Sequence, residues 1–234
     1  MVQDMEKHLV YGAAREDALA VSKYIALYRQ TKDEAHRERA LDMLRNLVPV
    51  EEMCPAWAAQ LFFAYEETGD EGWREMIEQV AARTLPEPMN LAEAYDVLPF
   101  RMAYEMKMNR MAWVSRVAAS FKQLHERLFD KAAGLHNAAE GEAFSPEASA
   151  WFMLALVDAI EICDQQLYEH WRAMVDIFRV TLRGLVTHGL AAGAEEKTAT
   201  AICKAVRLGI ADPERYLPVA NSLRAKAEDE QNED

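Results

Sequence analysis

Apolar residues in this chain recur at helical spacing almost from end to end. Leu41, Leu44, Leu47 and Val48 fall at i, i+3, i+6 and i+7, a stripe along one face of a helix. Comparable stripes run through 55–67, 72–85, 99–108, 111–129, 148–162, 166–186, 197–209 and 213–227. No β-branched run alternates cleanly between apolar and polar, and no Asn-Gly or Asp-Gly turn separates such runs. The pattern predicts an all-α protein.

The turns between these stripes repeat. ALYRQTKDEAHR at 26–37 aligns with AYEETGDEGWR from 64, which brings Tyr28/Tyr65, Thr31/Thr68, Asp33/Asp70 and Arg37/Arg74 into step. AYEMKMNRMAW sets Asn109 at the Asp position, and looser copies turn at Asp164 and Asp212. In each, an apolar helix ends, an Asp or Asn follows, and another helix begins. A carboxylate or amide there caps the free N–H groups of the incoming helix. Pro213 suits the first helical position, where its missing N–H costs nothing. The reading gives about five helical hairpins and ten helices.

Links between hairpins differ in kind. Segments 48–54, 85–92, 130–147 and 187–196 are longer and hold most of the Pro and Gly. Alternating tight and long links gathers the long ones at one end, where irregular connections carry function more often than tight turns do. Residues 1–224 are expected to form a single hairpin domain, and the charged segment 225–234 to fray. The turn spacing is too uneven for a regular solenoid and the tetratricopeptide signature is missing, so a closed α/α toroid is preferred over an open superhelix.

Charge narrows the partners. With 26 Lys and Arg against 39 Asp and Glu, the net charge of −13 argues against nucleic acid and against an anionic membrane surface. Cys54, Cys163 and Cys203 share no CxxC spacing and read as buried free thiols, which points weakly to a reducing, cytoplasmic compartment. The chain carries no H-E-x-x-H, G-x-S-x-G, G-x-G-x-x-G or P-loop pattern, and no cofactor or metal is expected.

Three segments resemble one family. LFFAYEETGDEGWREM at 61–76 resembles the TGD turn of α/α-barrel glycosidases. YDVLPFRMAYEM at 95–106 resembles the D-T-L-F-M-x-x-P-F-L stretch of unsaturated glucuronyl and rhamnogalacturonyl hydrolases, glycoside hydrolase families 88 and 105. EEKTATAICKAVRLGIADPERYLPVANSLRAKA at 195–227 resembles their E-T-S-x-T-A-M through Y-L-P-V-A segment in order and spacing. DKAAGLHN at 130–137 is similar to their D-x-x-T-G-L motif. Departures are as plain. The family has six hairpins against about five here, so the toroid would be incomplete. Its R-G-N-G-W motif is here Glu147-Ala148-Ser149-Ala150-Trp151, with only the Trp kept and an Arg become a Glu.

The resemblance implies that Asp96 is the carboxyl group that protonates the vinyl-ether double bond of a 4,5-unsaturated uronic sugar and activates the added water. Such an acid needs a dry pocket that raises its pKa. The plainer alternative makes Asp96 the cap of a helix with Pro99 in its first turn. Trp57 and Trp151 are placed to stack on a sugar ring, or to fill the core. Arg101 is a candidate for a substrate carboxylate, with an i+4 ion pair to Glu105 as the alternative. His136 is a candidate hydrogen-bond donor to the sugar, or a solvated loop histidine. Glu147, Glu195 and Glu196 are candidate second carboxylates of an inverting pair.

Two functions compete. One is a cofactor-free unsaturated uronyl hydrolase acting on a short oligosaccharide. The other is a catalytically silent relative that binds a sugar or a protein, with a homodimer covering the seam of an incomplete ring.

Overall fold

A computed structural model describes residues 2–46, 53–83, 85, 87–163, 167–188 and 194–233, with side chains described from 14 to 227. Among the described residues it contains ten helices. They are α1 (Val2–Thr31), α2 (Glu34–Arg45), α3 (Pro55–Thr68), α4 (Glu71–Ala82) and α5 (Leu91–Lys107). There follow α6 (Val114–Leu128), α7 (Pro146–Ile162), α8 (Tyr168–His188), α9 (Glu195–Arg207) and α10 (Pro213–Glu233). One two-residue ribbon interrupts them, with β1 (Phe129–Asp130) antiparallel to β2 (Leu135–His136) and Phe129 opposite His136. The all-α expectation and the five hairpins stand: α1 packs on α2, α3 on α4, α5 on α6, α7 on α8, and α9 on α10. The chain divides into two compact units, Met1–Pro86 and Glu87–Asp234, where the sequence suggested one domain. The charged end expected to fray continues α10 as helix to Glu233, in line with its Ala, Glu, Lys and Gln content.

In the first unit the repeated turn is the same object twice. Thr31 and Thr68 each bond back to a carbonyl four residues earlier, Leu27 at 2.8 Å and Ala64 at 2.7 Å. Each Thr hydroxyl also accepts the N–H of the following Asp at 3.2 Å. That Asp then caps the next helix, Asp33 accepting from Ala35 and Asp70 from Gly72, both at 2.9 Å. The residue between Thr and Asp is left-handed in both, Lys32 at φ 56° and Gly69 at φ 66°. Gly adopts this conformation freely and Lys does so under strain.

In the second unit, among the described turns, the last keeps the Asp cap of that plan without its Thr, Asp212 accepting from Glu214 N–H at 3.0 Å. The turn predicted at Asp164 lies outside the described residues. Asn109 is not a cap. The buried carboxylate of Glu105, on the outgoing helix, takes over: it accepts both from the Asn109 side-chain amide at 3.0 Å and from Trp113 N–H at 2.8 Å. Arg110 and Met111 turn the chain with φ of 52° and 62°. Sequence register alone could not show that the acceptor had moved from one side of the turn to the other.

First helices of the hairpins sit deeper than second helices. Every residue of α7 from Ser149 to Ile160 is buried, and α7 packs against α5, α8 and α9. Helices α6 and α8 bury one stripe each, Val114, Val117, Phe121 and Leu124 on α6, and Met174, Phe178 and Leu185 on α8. Gly184 on α8 lies under the ribbon's turn, where a Cβ would meet the Gly134 carbonyl oxygen at 2.7 Å.

Two substitutions test this packing in opposite directions. Lys32→Gly is expected to stabilise by about 0.5–1 kcal/mol by relieving the left-handed residue, measured by urea unfolding. Gly184→Ala is expected to destabilise by about 1–3 kcal/mol, because backbone rather than a flexible side chain must yield. A neutral Gly184→Ala would contradict the packing of the ribbon on α8.

Candidate functional site

The N-terminal turns of α5, α7 and α9 bring together the polar and aromatic groups of the second unit. Local sequence sets each start. Asn90 caps α5 by accepting from Glu93 N–H at 2.9 Å. Ser145 caps α7 by accepting from Ala148 N–H at 3.2 Å, with Pro146 at the first helical position. The long links meet here: Leu91 N–H donates to Ala138 O at 3.0 Å, and the Arg127 guanidinium donates to Met89 O at 2.9 Å.

Asp96 is 3% exposed and stands in the interior of α5. The cap alternative is therefore corrected, since Asn90 holds that position and Pro99 lies within the helix rather than in its first turn. Proline there leaves the Tyr95 carbonyl without its usual i+4 donor. The neighbouring Tyr95 ring lies 4.8 Å from the Trp151 ring. On the other helix flanking α7, Lys197 sets its Nζ 5.0 Å from the centroid of Trp151, a cation–π contact. Trp151 thus joins α5 to α9 through its own two contacts.

The same stretches of α7 and α9 carry further polar groups. Lys197 is 8% exposed, and its Nζ lies 3.9 Å from Glu147, whose side chain is 58% exposed. Glu195 is buried at the first residue of α9, where free N–H groups favour a carboxylate, whereas Glu196 is exposed. The hydroxyls of Ser149 and Thr198 are fully buried and meet no hydrogen-bond partner. Buried hydroxyls are ordinarily paired, so these two are exceptions within the packing of α7 and α9. Further along the same pair of helices, Lys204 meets Asp158 and Arg207 meets Glu161, each at 2.6 Å. Burial pushes the Asp158 carboxyl up, and Lys204 pulls it partly back.

Other candidates fall elsewhere. Arg101 is five residues beyond Asp96 on α5 and pairs with Glu87 at 2.9 Å, not with Glu105, which is engaged in the turn. Glu87 also accepts from Ser120 on α6 at 3.0 Å, so Arg101 belongs to a hairpin-bracing network. Trp57 is buried near the start of α3, in the first unit.

His136, expected in an open loop, is 2% exposed. Its ring is 5.0 Å from those of His125 and Phe129 and 5.5 Å from Phe152. His136 Nε2 lies 2.8 Å from His125 Nδ1, and His136 Nδ1 meets no partner. One proton lies between the two rings. Placing it on His136 leaves a bare lone pair buried, whereas placing it on His125 would bury an N–H, the rarer situation. Burial, and then the charge of His125, lower the His136 pKa to about 3. Nothing in the sequence paired these two residues, since 11 positions separate them on different elements.

No protein-family model matches the chain, and no curated protein sequence does. Solved structures do match. A family 105 glycoside hydrolase from C. acetobutylicum aligns with a TM-score of 0.73 at 18% identity, over 88% of this chain and 74% of that one. A possible family 105 member from Salmonella enterica gives 0.73 at 17% identity, over 90% of this chain and 68% of that one. A family 88 glycosyl hydrolase from Bacteroides vulgatus gives 0.65 at 11%, over 94% and 76%. These neighbours are α/α toroids, and the chain shares their fold. Among the described residues, no helix is long and apolar enough to cross a membrane, and no cluster of three His, Cys, Asp or Glu is poised for a metal.

The histidine pair makes a pH prediction. His136 titrates near 3 when folded and near 6.5 when unfolded, so the unfolded chain takes up the proton first. Its contribution is intact above pH 6.5 and declines toward pH 3, by about 1.4 kcal/mol per pH unit at most. Melting temperatures at pH 7.5 and 5 should fall less for His136→Phe than for the unaltered protein. Equal falls would show that His136 is not the titrating group.

Proposed function

We propose that the second unit binds a short oligosaccharide ending in a 4,5-unsaturated uronic sugar and hydrates its double bond, with Asp96 as general acid and base. The supporting observation is the placement of a buried carboxyl group in the α5 interior, one residue from the tyrosine that meets Trp151. The shared fold with family 105 and 88 glycoside hydrolases fits a carbohydrate ligand. In the reaction, protonated Asp96 delivers its proton to C4 while a water oxygen adds at C5, and the water's proton returns to the Asp96 carboxylate. The product at C5 is a hemiketal; its C5–O5 bond opens to a ketone and leaves a hemiacetal at C1, whose collapse to an aldehyde expels the glycosidic oxygen as an alcohol and releases the rest of the chain. A carboxyl group and one water complete this sequence. Trp151 serves as an aromatic wall for the sugar's C–H face. A second copy of the chain is the candidate protein partner.

One observation favours a silent sugar-binding relative instead. Glu147 stands where the resembling family carries Arg, and alanines replace both of its glycines. Both readings meet in a single assay. With an unsaturated disaccharide, loss of ultraviolet absorbance at the double bond is expected for the unaltered protein and reduced at least about 100-fold in Asp96→Asn, the usual scale for losing a general acid. Identical rates for the two proteins would remove the hydrolase reading. Binding without turnover would favour the silent relative.

A further inference from the structure

The turn between α5 and α6 exposes residues of another kind than the two repeated turns of the first unit. Those turns present Lys32, Asp33 and Glu34, and Asp70 and Glu71, to water. This one presents Arg110, Met111 and Trp113, with Trp113 53% exposed. The backbone behind them is bonded residue by residue. Met111 N–H donates to Glu105 O at 2.7 Å, Ala112 N–H to Asn109 O at 3.2 Å, and Trp113 N–H to the Glu105 carboxylate at 2.8 Å. Arg110 and Met111 hold left-handed φ angles, which L residues adopt under strain. A large ring is thus held in water from a fixed backbone.

The neighbouring helix α8 opens the same way. Tyr168 is 50% exposed, with the Arg172 guanidinium 6.0 Å from its ring centroid, as Arg116 lies 5.0 Å from that of Trp113. Helices α6 and α8 pack together, and both run from their hairpin turns toward the ribbon. From Trp113 to Leu128 and from Tyr168 to Gly184 they rise about 22 and 24 Å, so the two rings stand at the same end of the helix pair. Charge separates this end from the rest. Between Glu105 and Glu126 the chain has no acidic residue, and Lys107, Arg110, Arg116 and Lys122 all fall there. Glu169 and Asp176 offset Arg172 on α8, so the positive charge comes from the α6 side. In a protein of net charge −13 this is a local cationic surface, and acids more than about 8 Å away are largely screened at physiological salt.

We propose that Trp113 and Tyr168 form a surface ledge that holds an acidic polysaccharide, by stacking on the two rings and by carboxylate contacts to Arg110 and Arg116. Exposed aromatic rings take the C–H face of a sugar, and a guanidinium takes a carboxylate through two parallel N–H donors. The ledge lies beyond the end of α5, about 16 Å along that helix from Asp96 to Lys107, and takes no part in the hydration. It keeps the protein on the polymer from which acidic oligosaccharides come. Rings beside arginines also suit single-stranded nucleic acid. The choice of a uronate polymer rests on the sugar reading above, whereas the ledge rests on exposure and charge.

The test measures binding of the full chain to immobilised polygalacturonate, to its fully methyl-esterified form and to a single strand of oligothymidylate. The acid polymer is expected to bind at least about tenfold more tightly than the neutral ester, the scale of one or more charge-assisted contacts. Trp113→Ala and Tyr168→Ala should each weaken it at least about fivefold, and Arg110→Gln with Arg116→Gln should remove the preference for acid over ester. Leu217→Ala, at an exposed apolar side chain on α10, should change nothing. Unaltered urea midpoints show that the variants are folded, and turnover of an unsaturated disaccharide should stay within about twofold in each. No hold on the acid polymer, or a hold that survives Trp113→Ala with Tyr168→Ala, overturns the ledge and leaves the hydrolase reading standing if the disaccharide is still consumed. Oligothymidylate bound as tightly as the polymer and lost with the same variants overturns the sugar assignment. Polymer binding lost in Trp113→Ala, with no disaccharide turnover in the unaltered protein, upholds the ledge and removes the hydrolase reading instead.

Discussion

Complete burial of α7 is the constraint on which the second unit depends. Ser149 to Ile160 has no side facing water, so α5, α8 and α9 must all be in place to cover it. That is a demand of area: apolar burial yields about 25 cal/mol per Å², and an uncovered face of such a helix would forfeit several kcal/mol. Covering a helix on all sides leaves little freedom in how its neighbours align. Two short ion pairs along the α7–α9 seam, Lys204 to Asp158 and Arg207 to Glu161, then fix the register of two otherwise smooth helices. The buried Lys204–Asp158 pair is a weak source of stability, since desolvation offsets the attraction, but a shift in register would strand its charges.

The candidate site follows from the same arrangement. Helices α5 and α9 flank α7, and the N-terminal halves of all three carry buried residues that a pure core would exclude: Asp96, Ser149, Glu195, Lys197 and Thr198. Their burial opposes folding. Lower down the same helices, the charges are paired at short distance. At the top the Lys197–Glu147 pair is longer, at 3.9 Å, and the buried hydroxyls of Ser149 and Thr198 are open. The ribbon and its Gly184 seat close the link between α6 and α7 over this end, and the contact of buried His136 with half-buried His125 is part of that closure.

Much of the fold was legible in the sequence because its causes are local. Helical periodicity, the Thr-x-Asp turns at 31–33 and 68–70, and the prolines opening α3, α7 and α10 depend only on residues a few positions apart. Asp96 stands out through a resemblance in local order of residues, while its place inside α5 depends on Asn90 taking the cap. The Asn109 turn differs likewise, since its acceptor is Glu105.

Tertiary structure alone decided what each polar residue meets. Arg101 found Glu87 rather than its helical neighbour Glu105, buried His136 found half-buried His125, and Lys197 found Trp151 on another helix. Sequence fixes a side chain's direction relative to its own helix through the 3.6-residue period, and so determines which residues share a face. The identity of the partner across that face depends on how far one helix slides and turns against the next. That displacement is set by the sum of many apolar contacts along α5, α7 and α9, a quantity spread over the whole unit and written at no single position.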